Sequence, residues 1–214
     1  MVEILLASRG AAMIRPTGDG DIVGDVVSDR RVLRKLAGGL LAMNFEASPT
    51  GWDGDIGVRF RDRSSGVFID VLTPANSSRL KNVVATQPKR RSLEAPGTDF
   101  ALFTATDFSV TYADGEQPLD IRVPSVLGAL YAKASAWHDI KNALDPHKHL
   151  QDAAVLLTVA RLPEFRDVSN AVRKRLTRLY AELADQNSIG WEYVEIQPRN
   201  DAIARLGAAL TAGR

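Results

Sequence analysis

Beyond Pro124 the chain stops alternating and turns helical, and this change constrains the fold more than any other feature of the sequence. "SVLGALYAKASAWHDIKNAL", "HKHLQDAAVLLTVARL", "EFRDVSNAVRKRLTRLYAELADQ" and "RNDAIARLGAAL" repeat apolar residues at helical spacing, with "DP", "LPE" and "NSIGW" as breaks between them. The third is the clearest, with Phe165, Val168, Val172, Leu176, Leu179 and Leu183 on one stripe. Ahead of Pro124, "VEILLAS" reads as a short buried strand, "RGAAMIRPTGDG" as a turn-rich connection and "DIVGDVV" as a second strand. "DIGVRFRD" and "GVFIDVLT" alternate about "RSSG" as a hairpin, and "FALFTATDFSVTYADGEQPLDIRVP" alternates about "ADGE" as a further pair of strands. One helix interrupts them, "SDRRVLRKLAGGLLAMNF", behind a Ser28 or Asp29 cap, and residues 75 to 98 read mostly as loop. The expectation is an α+β protein with an N-terminal domain over residues 1–123 and a helical C-terminal domain over 124–214.

Composition removes several kinds of chemistry. A chain of 214 residues, 45% hydrophobic, is long enough to bury a substantial core. With 27 basic against 26 acidic residues, any electrostatic function must come from patterning rather than bulk charge. The absence of cysteine excludes a disulfide framework, a thiol nucleophile and a cysteine-based zinc site. His138, His147 and His149 are clustered but not at helical metal-ligand spacing as a set. No apolar run is long enough to span a bilayer, so the reading is a cytoplasmic protein without membrane contact.

The stretch "RPTGDGDIV" carries the first candidate chemistry. Asp19 and Asp21 lie two apart at the start of an apolar strand, so in extended backbone their side chains fall on one face. Two carboxylates held together repel unless a cation lies between them, and hard oxygen ligands suit magnesium; the alternative is a pair of turn aspartates that cap or solvate. A third acid, Asp70, sits inside "GVFIDVLTP" between Ile69 and Val71. An ionised carboxylate there needs water, a metal or a salt bridge to an arginine, and both of the latter stay open. Three acids on two neighbouring strands would make the cage that two-metal phosphoryl chemistry uses.

Elsewhere, Lys133 shares a helical stripe with Val126, Leu130 and Trp137, where its ammonium either reaches a phosphate or snorkels at a domain joint. Lys148 and Asp152, four apart, read on their own as a surface pair. Lys89, Arg90 and Arg91, and the run Arg173, Lys174, Arg175 and Arg178, are ordinary solvated faces, or phosphate contacts if the substrate is RNA.

On these residues the sequence resembles the nucleotidyltransferases of the DNA polymerase β superfamily, in particular the AbiEii-like toxin and minimal nucleotidyltransferase group. That motif is a strand ending in Gly-Ser, ten residues, then D-x-D, with a third Asp on a later strand; here Ala7-Ser8 is followed after ten residues by Asp19 and Asp21. "KHLQD" resembles the Lys and Asp pattern of the family's helical part, and "VPSVLGALYAKASAW" the helix before it. The resemblance covers roughly residues 4 to 160 and departs from the family in two places. Ala7 stands for glycine, and the reading has no helix ahead of the first strand.

The resemblance implies a nucleotidyltransferase-fold mixed sheet with flanking helices. It implies two Mg2+ ions held by the catalytic residues Asp19, Asp21 and Asp70, and a nucleoside triphosphate contacted by Ser8, Lys148 and Asp152; Arg9, next to Ser8, and Lys133, from its own helical stripe, join them as nucleotide-binding candidates. The activity implied is transfer of a nucleoside monophosphate to a hydroxyl of tRNA, another RNA or a protein side chain. The setting implied is the toxin of a toxin–antitoxin pair, with a cognate antitoxin as partner. The alternative is a nucleotide-binding or partner-binding module that keeps the fold without turnover.

Overall fold

The computed structural model describes residues 1–12, 19–48, 59–86, 92–111, 117–140, 145 and 147–212, and for Asp19 the backbone alone. In chain order the elements are α1 (Val2–Ser8), β1 (Asp19–Val23), α2 (Val32–Ala42), β2 (Phe45–Ala47), β3 (Arg59–Asp62), β4 (Phe68–Pro74) and β5 (Leu93–Ala95). There follow α3 (Thr98–Phe103), β6 (Thr106–Val110), β7 (Leu119–Val123), α4 (Val126–Asp139), α5 (Lys148–Val159), α6 (Asn170–Leu183) and α7 (Ile196–Thr211). The chain is α+β and forms two compact units, one of Met1–Arg15 with Phe100–Arg214 and the other of Pro16–Asp99. No helix among the described residues is long and apolar enough to cross a membrane.

The division falls at Pro16 and Phe100, whereas the composition changes at Pro124. Apolar burial explains the difference. Leu5 and Leu6 are each 1% exposed and share a core with α4, α5, α6 and α7, and Phe108 of β6 and Ile121 of β7 pack against the same core. "VEILLAS" is accordingly a helix and not the expected strand. Val2, Leu5 and Leu6 fall on one helical face, and a run this short cannot be told from a strand by periodicity. The start of "FALFTATDF" also differs: Thr98–Phe103 is helical, and the Phe100 ring meets Tyr131 edge-on at 5.3 Å. Gly128 permits this close approach, because a Cβ there would lie 2.1 Å from Thr104 Oγ1 and 3.3 Å from Ala101 Cα.

The expected helices follow local signals. Ser125 caps α4 by accepting from the Gly128 N–H at 3.0 Å, and Ser169 caps α6 by accepting from the Val172 N–H at 3.3 Å. Val172, Leu176, Leu179 and Leu183 are buried on one stripe of α6, while Phe165 lies in a separate 3-10 turn before it. Trp191 is fully buried and donates its indole N–H to the Leu183 carbonyl at 2.8 Å.

In the other unit the sheet runs β1-β4-β3-β2, with β5 pairing the last residues of β4. β1 and β5 are parallel to β4, and β3 is antiparallel to both β4 and β2, so the sheet is mixed. The hairpin expected about "RSSG" forms: Gly66 takes φ +75°, and the Asp62 carboxylate accepts the Ser64 and Ser65 N–H groups, each at 3.1 Å. Hydrogen bonds from the Ser65 hydroxyl first, then from Ser64, hold that carboxylate well below its usual range. Leu33, Ala37 and Leu40 of α2 pack with Val26, Phe60 and Val71 against one sheet face. Arg31, not Ser28 or Asp29, is the N-cap of α2; Asp29 braces the turn before it, accepting the Arg31 N–H at 2.8 Å and pairing with Lys35 at 2.7 Å.

Candidate functional site

Burial separates the two sides of the sheet. Phe60 and Val71 are 0% and 1% exposed in the core under α2, so alternation turns Arg59 and Arg61 of β3, and Phe68 and Asp70 of β4, to the opposite face. Asp70 is the register partner of Asp21 on β1 and of Arg59 on β3. One row across three adjacent strands therefore reads Asp21, Asp70, Arg59. The next row sets Asp19, Phe68 and Arg61 at matched positions.

Arg59 grips Asp70 with a fork, Nε donating to Oδ1 at 2.8 Å and Nη2 to Oδ2 at 2.7 Å. Side-chain exposures of 30% for Arg59 and 17% for Asp70 leave the pair only partly wet. The Arg59 and Arg61 guanidinium carbons lie 5.3 and 5.9 Å from the centroid of the Phe68 ring, within cation–π range. Asp21 is exposed. Two carboxylates directly opposite each other on neighbouring strands are unfavourable, and Arg59 at the end of the row offsets that repulsion. The arginine salt bridge left open for Asp70 is present.

Asp21 and Asp70 are hard oxygen donors of the kind a divalent cation takes, so the row fits magnesium in its chemistry. Both Asp70 oxygens are already committed to Arg59. Among the described residues, no three His, Asp or Glu side chains are grouped to hold a metal ion.

The remaining candidates lie in the helical unit or outside the described residues. Ser8 closes helix α1 with its hydroxyl donating to the Leu5 carbonyl at 2.8 Å, so it does not end a strand as the family motif requires. Arg9 pairs with Glu164. Lys133 and Asp152, singled out for separate reasons, meet at 2.8 Å between α4 and α5, their side chains 12% and 11% exposed. Lys148 opens α5, its backbone N–H bonded to Asp145 Oδ1 at 3.1 Å. Beside Lys133 and Asp152, burial first and then the Lys133 charge lower the His149 pKa to about 4. His149 Nδ1 is buried with no hydrogen-bond partner among the described residues.

Lys89, Arg90 and Arg91 lie outside the described residues. The basic run of α6 is largely spent on architecture. Arg175 forks onto Asp139 at 3.0 and 2.8 Å, and Arg178 reaches His138 Nε2 at 2.7 Å. Arg173 donates to the Leu210 carbonyl near the end of α7 at 3.4 Å.

No protein-family model matches the chain, and neither does any curated protein or solved structure.

Arg59 was missed by sequence reasoning, although a signal for it exists. Counting outward from the "RSSG" turn in hairpin register brings Arg61 opposite Phe68 and Arg59 opposite Asp70.

Proposed function

We propose that the chain is a metal-dependent nucleotidyltransferase that takes a nucleoside triphosphate, joins the nucleoside monophosphate to an acceptor hydroxyl and releases pyrophosphate. The observation that carries this reading is the register of β1 and β4, which sets Asp21 opposite Asp70 on neighbouring parallel strands. The likeness of the "RPTGDGDIV" and "FIDVL" segments to the nucleotidyltransferase motif supports it, and in this reading the mixed sheet is the nucleotidyltransferase fold.

Asp21 and Asp70, with Asp19, would hold two Mg2+ ions, which supply neutralisation of the triphosphate and a lowered pKa for the acceptor hydroxyl. Asp70 takes the hydroxyl proton as the acceptor oxygen bonds to the α-phosphorus. The bond from that phosphorus to the bridging oxygen breaks, and its electron pair leaves with pyrophosphate. The nucleotide-binding roles of Ser8, Arg9, Lys148 and Asp152 stand on the sequence resemblance, and that of Lys133 on its helical stripe. An RNA or protein acceptor and a toxin's place beside an antitoxin stand on the resemblance alone.

The test is incubation of the full chain with each α-labelled triphosphate and Mg2+, in the presence of total tRNA or a protein extract. Label on macromolecule matched by pyrophosphate is the expected result, and neither product from folded protein contradicts the proposal. A second reading, a nucleotide-binding or partner-binding module without turnover, is favoured by the hold of Arg59 on both Asp70 oxygens. It gives triphosphate binding without pyrophosphate.

A further inference from the structure

We propose that Arg59 is a latch on Asp70: its guanidinium holds both carboxylate oxygens while no divalent cation is bound, and gives up at least one of them to a cation entering beside Asp21. The inference rests on reading the Asp21–Asp70 row as a metal site. A carboxylate cannot serve a two-branched guanidinium and chelate a metal ion with the same two oxygens, and even one-oxygen ligation sets a divalent charge beside a fixed positive one. The cation must therefore compete with Arg59 for Asp70.

Three features make that competition reversible. The pair is partly exposed, at 30% and 17%, so water screens the attraction and can receive the released branch. The Phe68 ring, 5.3 Å from Arg59 Cζ, gives the guanidinium a seat that does not depend on Asp70. Asp21 and Arg59 flank Asp70 from opposite strands, so a cation approaching from the Asp21 side draws the carboxylate away from the fork without moving the backbone. Once released, Arg59 remains on the face that carries both acids, where the phosphates of a triphosphate are the natural anion for it. Metal loading and substrate loading are then coupled through one side chain.

The experiment is a calorimetric titration of the full chain with MnCl2, without nucleotide, on the wild type, Arg59→Lys, Arg59→Gln, Arg61→Gln and Asp21→Asn. Arg59→Lys keeps the charge and loses the fork; Arg61→Gln removes the same charge from the same face and leaves the fork intact. Both Arg59 variants are expected to bind Mn2+ about tenfold more tightly than the wild type, the equivalent of one charge-assisted hydrogen bond. Arg61→Gln should stay within about twofold of wild type, as expected of an exposed charge, and Asp21→Asn should weaken binding. The latch is overturned, with the metal reading intact, if Arg59→Lys binds no more tightly than wild type, or if Arg61→Gln tightens binding as much as Arg59→Gln. Absent Mn2+ binding in every variant, or binding indifferent to Asp21→Asn, overturns the metal reading and the latch with it. Should Arg59→Gln fail to fold, the Arg59→Lys and Arg61→Gln arms decide the question.

Discussion

Lys133 on α4 and Asp152 on α5 form an ion pair at 2.8 Å that is almost entirely withdrawn from water, with side chains 12% and 11% exposed. Two charges so far withdrawn from water depend on each other, and the pair ties α4 to α5.

Removing one partner should therefore cost more than removing both. Lys133→Met is expected to lower stability by about 3 kcal/mol or more, and Lys133→Met with Asp152→Leu to recover most of that loss. Chemical denaturation of the two single variants and the double variant checks this. If the pair also serves nucleotide, the double variant recovers stability without recovering triphosphate binding.

The two carboxylates of the sheet row should behave differently as structural groups. Asp70→Asn removes the charged acceptor of the Arg59 fork and is expected to cost about 2 kcal/mol. Asp21 is exposed, so Asp21→Asn should stay within about 0.5 kcal/mol of wild type. Urea midpoints measured in the absence of divalent cations give both values.

Much of this arrangement is legible in the sequence, and what is not has physical causes. The alternation of "GVFIDVLT" identifies β4 and the position of Asp70 within it, and the apolar stripe of Val172, Leu176, Leu179 and Leu183 identifies α6. Local pattern fails where pairing and packing decide. "VEILLAS" is too short for its period to separate helix from strand, and its place in the helical core depends on α5, far along the chain. The β6–β7 hairpin reads as part of the first domain because it alternates, yet Phe108 and Ile121 pack with the helices. The α6 arginines look like a solvated patch because Asp139, His138 and the end of α7, which receive them, are remote in sequence. Arg59 is not legible from local pattern, because an arginine in an alternating strand is unremarkable until the hairpin register sets it against Asp70.

His149 should make stability depend on pH on the acid side of neutrality. Burial, then the Lys133 charge, lower its pKa from 6.5 to about 4 in the folded chain. Between those values the unfolded chain binds the proton and the folded chain does not. The stability is present above pH 6.5 and is lost as pH falls towards 4, by up to about 3 kcal/mol. His149→Leu should remove that part of the slope. The check is a comparison of urea midpoints for wild type and variant at several pH values across the window.

The most direct measurement of the central claim, that Asp21 and Asp70 together form a catalytic metal site, is label transfer by Asp21→Asn with Mg2+ present, paired with its thermal unfolding in the absence of metal. The substitution removes one charge and leaves the strand's shape intact. The expected result is transfer lowered by at least about a hundredfold with a melting temperature close to that of wild type. Unchanged transfer together with a clear drop in melting temperature would contradict the claim, and would make the row of Asp21, Asp70 and Arg59 a structural feature of the sheet.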